Sequence, residues 1–137
     1  MQQQIRYKSG YKYQLAERYS RQLKSIRPDK EIETPWILLS RSGLITIKLS
    51  YAWDGASGPT IDTKSSMRGA LVHDALAQLL RLGLLDIKWY HAVNQEFHDI
   101  CVEDGMFRWR AFLWMKAVDN LKFWTRPSSE PETLVAP

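Results

Sequence analysis

The sequence has one cysteine, Cys101, in 137 residues. That excludes an intramolecular disulfide framework and a cysteine-based zinc knuckle, and it suits a reducing compartment. No run of about 18 apolar residues occurs, so no membrane-spanning helix is expected. The opening MQQQIRYKSG lacks the apolar core of a signal peptide. No internal repeat is visible, and the length fits one domain with a real core.

What is present is an ordinary globular composition with many aromatics. Six Trp and six Tyr imply core packing, because each ring contributes a large buried area. The net charge of +4 is uneven. Residues 1–30 hold Arg6, Lys8, Lys12, Arg18, Arg21, Lys24, Arg27 and Lys30 against only Glu17 and Asp29. Such a segment suits nucleic acid, an anionic membrane or an acidic partner. The cations are spread singly, without a helical stripe or a nucleic-acid motif. They therefore read as solvated strand faces, and nucleic acid is the least favoured partner.

Alternation in IRYKSGYKYQL (5–15), broken by Ser9-Gly10, predicts a β-hairpin. Residues 16–34 read as a polar connection with one short strand near Tyr19–Leu23. A second hairpin is expected over 36–51, with Pro35 at its start and Arg41-Ser42-Gly43 as its turn. Residues 52–64 form a loop. Helix one runs from about Ser66 to Leu82, capped by Thr63, Ser65 or Ser66 and ended by Gly83.

The apolar arc of helix one is Leu71, Val72, Ala75, Leu76, Leu79, Leu80 and Leu82. His73 lies at its edge, and Asp74 lies on the polar side with Gln78 and Arg81. Helix two spans about Ile87 to Glu103, with Trp89, Val93, Phe97 and Ile100 as its stripe and Asn94 at the border. His91 and His98 lie toward solvent, and Gly105 breaks the helix. Helix three runs from about Phe107 to Trp124 and carries two apolar faces. One of them holds Trp109, Phe112, Leu113, Lys116, Ala117, Asn120 and Leu121, with Trp114 and Val118 near it. Such a helix is deeply buried or shared with a partner. The expected whole is a single α+β domain over 1–125: N-terminal antiparallel β-hairpins forming a small sheet of four or five strands, then about three C-terminal α-helices. Residues 126–137 read as a flexible tail.

The chemistry concentrates between Tyr51 and Gln78. His73 and Asp74 point about 100° apart on a helix, so they cannot form a hydrogen-bonded pair, but they can serve one site in separate roles. His73 is a candidate general base, oriented by a polar group on helix two, for which Asn94 is placed if the helices are antiparallel neighbours. Asp74 is a candidate hard-cation ligand, completed by Asp54 and by carbonyls of the Asp54-Gly55-Ala56-Ser57-Gly58-Pro59 loop. Calcium uses carbonyl ligands freely, and Gly55 and Gly58 permit the backbone turns this needs. A structural role for the same residues stands beside this one. There, His73 is a core-edge histidine and Asp74 pairs with Arg81 or Gln78. Asp54 and Asp62 make Asx turns or cap helix one.

Trp53-Asp54-Gly55-Ala56-Ser57-Gly58-Pro59, Arg68 and His73-Asp74-Ala75-Leu76 together resemble a small phage and prophage family known only as a domain of unknown function. Tyr11-Lys12-Tyr13-Gln14-Leu15 resembles its opening strand, and Gly105-Met106 with Arg108-Trp109-Arg110-Ala111 its closing helix start. The resemblance covers most of the chain and implies a phage or prophage origin, in the host cytoplasm or the virion. Two positions depart from the pattern: Ala77 replaces a tyrosine and Asn94 an aspartate, and both bear on activity.

A more local resemblance, over a quarter of the chain, is to the calcium-dependent secretory phospholipases, whose disulfides this chain lacks. It implies His73 as base, Asp74 as calcium ligand and Asn94 in the orienting place. Two functions follow as expectations. One is a metal-dependent hydrolase acting on an ester or amide of membrane lipid or cell-wall material. The other is a non-enzymatic phage structural, tail or assembly component, or a binder of a host protein, with Arg68, Asp54 and Asp74 in an ion-pair network that joins sheet to helices.

Overall fold

A computed structural model describes residues 7–8, 13–53 and 64–121. The predicted α+β order holds: antiparallel strands come first, then three helices. The strands divide between two sheets rather than one. In the first, β1 (Tyr7–Lys8), β2 (Tyr13–Leu15) and β7 (Ala52–Trp53) lie in the order β1-β2-β7. In the second, β3 (Tyr19–Gln22), β4 (Ile32–Glu33), β5 (Ile37–Leu39) and β6 (Leu44–Ile47) lie in the order β3-β6-β5-β4. β4 and β7 fall in segments expected to be connections. Two residues are too few to carry an alternation signal.

Period-two alternation decides which side of the second sheet is dry. Tyr19 pairs with Ile47, Arg21 with Ile45, Ile37 with Ile47, and Leu39 with both Ile45 and Ile32. All of these side chains are buried, Arg21 among them. The other face carries Ser20 and Thr46, whose hydroxyls meet at 3.2 Å. The predicted hairpin turn ends at Gly43, with φ +89°. A side chain there would be strained and would also strike the Ile26 carbonyl at 2.7 Å.

α1 (Lys64–Arg81) begins before Ser65 and Ser66, so these are helical residues, not caps. Gly83 follows its end with φ +76°. From Ser66 to Leu80 every residue but Asp74 is buried. The one-sided arc expected for this helix is therefore too narrow. Gln78, placed on the polar side, is buried and lies 3.4 Å from the Tyr51 hydroxyl. Leu82, placed in the arc, is exposed. The reason is position: Leu71, Val72, Ala75 and Leu76 share one core with Ile37, Ile45 and Ile47 of the sheet and with Val93 and Ile100 of the next helix. Each fully buried Leu, Ile or Val side chain among them contributes about 1.5–3 kcal/mol.

A 3-10 turn at Ile87–Trp89, capped by the Asp86 carboxylate on the Lys88 amide (2.8 Å), leads into α2 (Tyr90–Glu103). α2 runs antiparallel to α1, since Gly69 faces Phe97 and Cys101 while His73 faces Asn94. A Cβ on Gly69 would sit 2.9 Å from Cys101 Sγ and 3.2 Å from Phe97. Gly69→Ala is therefore expected to lose about 1–3 kcal/mol by overpacking, despite the ~1 kcal/mol that alanine gains in a helix. Urea denaturation checks this; a stabilised variant would show that the helices are free to separate.

Asp104 and Gly105 (φ +102°) close α2, and α3 (Arg108–Leu121) follows. It packs on α2 through Ala111 and Trp114, against Phe97, Cys101 and Met106. Burial pushes the Cys101 thiol up to about 12, so it behaves as a small core residue. The expected tail, 126–137, lies outside the described residues.

Candidate functional site

The antiparallel α1–α2 pair brings His73 and Asn94 together, as their sequence positions suggest. His73 Nε2 and Asn94 Oδ1 are 2.8 Å apart, and both residues are buried. The amide oxygen accepts, so Nε2 carries the proton and a neutral ring holds its lone pair on Nδ1. The Phe97 ring meets the imidazole edge-on, with centroids 5.5 Å apart. Burial pushes the His73 pKa down to about 4, and the Asn94 hydrogen bond offsets this only in part. A neutral amide stabilises imidazolium less than a carboxylate would. His73 is therefore uncharged at neutral pH.

Asp74 is half-buried and one residue further round α1. Of the donors assigned to a cation, it is the one the structure describes. Asp54, Gly55, Ser57, Gly58 and Asp62 lie outside the described residues. Among the described residues no group of three or more His, Cys, Asp or Glu is arranged to hold a metal ion. His98, a solvent-side histidine in the sequence, lies 3.0 Å from the Asp99 carboxylate.

Arg68, assigned a supporting role, is buried at the root of a polar knot that reaches the surface at Glu103, and whose other members the sequence did not reveal. Its guanidinium donates to Asp104 (2.9 Å), Glu103 (2.8 Å) and the Tyr19 hydroxyl (2.9 Å). The expected partner Asp54 is outside the described residues. Arg21, read as a solvated cation, instead donates to Glu96 at 2.7 Å and to both oxygens of Glu103, at 2.9 and 3.0 Å. Glu96 also accepts from the Lys24 amide at 3.1 Å. The knot ties β3 to α1 and to the end of α2. Hydrogen bonds from Arg21, then from Arg68, hold the Glu103 carboxyl down at about 2. The available signal was the alternation in β3, which places Arg21 on the same face as Tyr19.

No family model, curated protein or solved structure matches this chain.

Proposed function

We propose that this chain is a phage- or prophage-type protein with a hydrolase-like site on the α1–α2 pair, in which His73 is the general base. The observation that carries this reading is the 2.8 Å His73–Asn94 hydrogen bond between two buried side chains. Asn94 fixes the tautomer, so the basic lone pair lies on Nδ1. The depressed pKa keeps the ring neutral above about pH 4. Nδ1 would accept a proton from water as it attacks an ester or amide carbonyl. Asp74 is a hard oxygen donor of the kind calcium prefers, and carbonyls of the Gly-rich loop would have to complete the set. When bound, calcium would polarise the carbonyl under attack. The substrate class that fits is membrane lipid or cell-wall material.

The test is hydrolysis of phospholipid vesicles and peptidoglycan by the whole chain, in calcium and in EDTA. His73→Ala is expected to lose at least about a hundredfold in rate. Full activity in His73→Ala would sink the reading.

A second reading is favoured by the Arg21–Glu96–Glu103–Arg68–Asp104 knot. In it, the same helices are a rigid scaffold of a phage structural or assembly component, or of a host-protein binder. A stable oligomer or complex in size exclusion with light scattering, with no hydrolysis, selects it.

A further inference from the structure

α3 is the outermost helix, packed on α2 through Ala111 and Trp114. Its opposite side is apolar and exposed. Trp109, Phe112 and Leu113 are 65%, 47% and 54% exposed, and Phe107 just before the helix is 71% exposed. Trp109, Phe112, Leu113 and Lys116 are spaced i, i+3, i+4, i+7, which aligns them along one outward ridge. Exposed large aromatics in such a row mark an interaction surface rather than ordinary scatter.

The charges say what kind of surface meets it. Arg108 and Arg110 flank the ridge on its two sides, and Lys116 continues it. No Asp or Glu occurs between Asp104 and Asp119. The Arg110 guanidinium lies over the Trp114 ring at 5.1 Å, and the Lys116 ammonium over Phe112 at 5.5 Å. Lys116 is thus held on the apolar row and Arg110 at its border, over the packed-side Trp114, both on long, snorkelling stems. The sequence beyond the described residues continues in kind, with Lys122, Phe123, Trp124 and Arg126. A second copy is a poor occupant, because a two-fold contact would set these cations against themselves. Tryptophan and phenylalanine flanked by Arg and Lys, with the helix's one carboxylate, Asp119, confined to its last turn, is the pattern of a helix that lies in the interface of an anionic bilayer.

We infer that the outward ridge of α3 docks on anionic phospholipid, with Trp109, Phe112 and Leu113 entering the headgroup boundary and Arg108, Arg110 and Lys116 meeting the lipid phosphates. This does not rest on the hydrolase reading: the ridge residues lie on α3, whereas His73 and Asn94 lie on α1 and α2.

The experiment is vesicle flotation of the whole chain, using phosphatidylcholine vesicles with and without phosphatidylglycerol. Binding is expected at least about tenfold stronger with phosphatidylglycerol and weakened by raised salt. Trp109→Ser/Leu113→Ser should lose about tenfold or more in partition while its melting midpoint holds, since both side chains are exposed. Arg108→Gln/Arg110→Gln/Lys116→Gln should lose the preference for phosphatidylglycerol, and it serves if the first variant does not fold. Equal binding to both vesicle types, no binding to either, or undiminished binding by a folded ridge variant would overturn the inference. So would a wild-type dimer that Trp109→Ser/Leu113→Ser dissociates, with no vesicle binding.

Discussion

Arg21→Met is expected to cost roughly 3–5 kcal/mol of folding stability, because it leaves Glu96 charged and buried without its guanidinium. The Glu96 side chain is 1% exposed, and the Arg21 Nε donates to it at 2.7 Å. Glu103 loses two further hydrogen bonds but keeps Arg68. Most of the loss is the unpaired buried carboxylate, so removing that charge should recover much of it. Glu96→Gln does this and keeps an oxygen for the Lys24 amide. The double variant Arg21→Met/Glu96→Gln is therefore expected to be more stable than Arg21→Met alone. An exposed pair gives the contrast. Lys24 Nζ lies 3.5 Å from Asp99, but the lysine is 55% exposed, and pairs of that kind are worth about 1 kcal/mol or less. Denaturation of the variants side by side checks the whole set. A loss below about 1 kcal/mol for Arg21→Met would mean that water reaches Glu96.

The domain should lose stability as pH falls from about 6.5 to about 4, through His73. Its folded pKa is pushed down to about 4 from an ordinary 6.5. Between those values the unfolded chain binds a proton at His73 and the folded chain does not. Stability therefore rises with pH across the window and falls on acidification. For this fully enclosed group the change is on the order of 3 kcal/mol. Glu103 acts in a lower window. Its folded pKa, about 2, lies below the ordinary value of 4.5, so its contribution is present above 4.5 and is lost as pH falls through 2. Denaturation from pH 7.5 to 4 separates the two, and His73→Gln should flatten the upper window. A proton NMR titration supplies the site readout: the His73 ring should stay neutral down to about pH 4. A midpoint near 6.5, or an unchanged pH slope in His73→Gln, would place the imidazole in water.

Several features needed no tertiary information. The alternation in 5–15 and 36–51, with Gly43 between the later strands, predicts hairpins, because strand periodicity and turn chemistry are local. Gly83 and Gly105 mark helix ends for the same reason: each adopts positive φ. The His73–Asn94 pairing was also legible. Two amphipathic helices joined by a short loop pack antiparallel, and residues equidistant from that loop then meet.

Tertiary structure alone decided the rest. A charge is buried only where a partner waits, and Glu96 is 75 residues from Arg21, so the alternation that sets Arg21 on the Tyr19 face could not name the carboxylate that lets it be buried. The nearly all-round burial of α1, including Gln78 and Ala77, follows from elements on several sides that no helical arc can count. α3 has two apolar faces in its sequence. Ala111 and Trp114 are on the packed side, where the small alanine allows close approach to α2, and the larger row of Trp109, Phe112 and Leu113 is left outside. Helical periodicity shows which residues share a face, but the direction of that face is set by the surfaces that remain for it to cover.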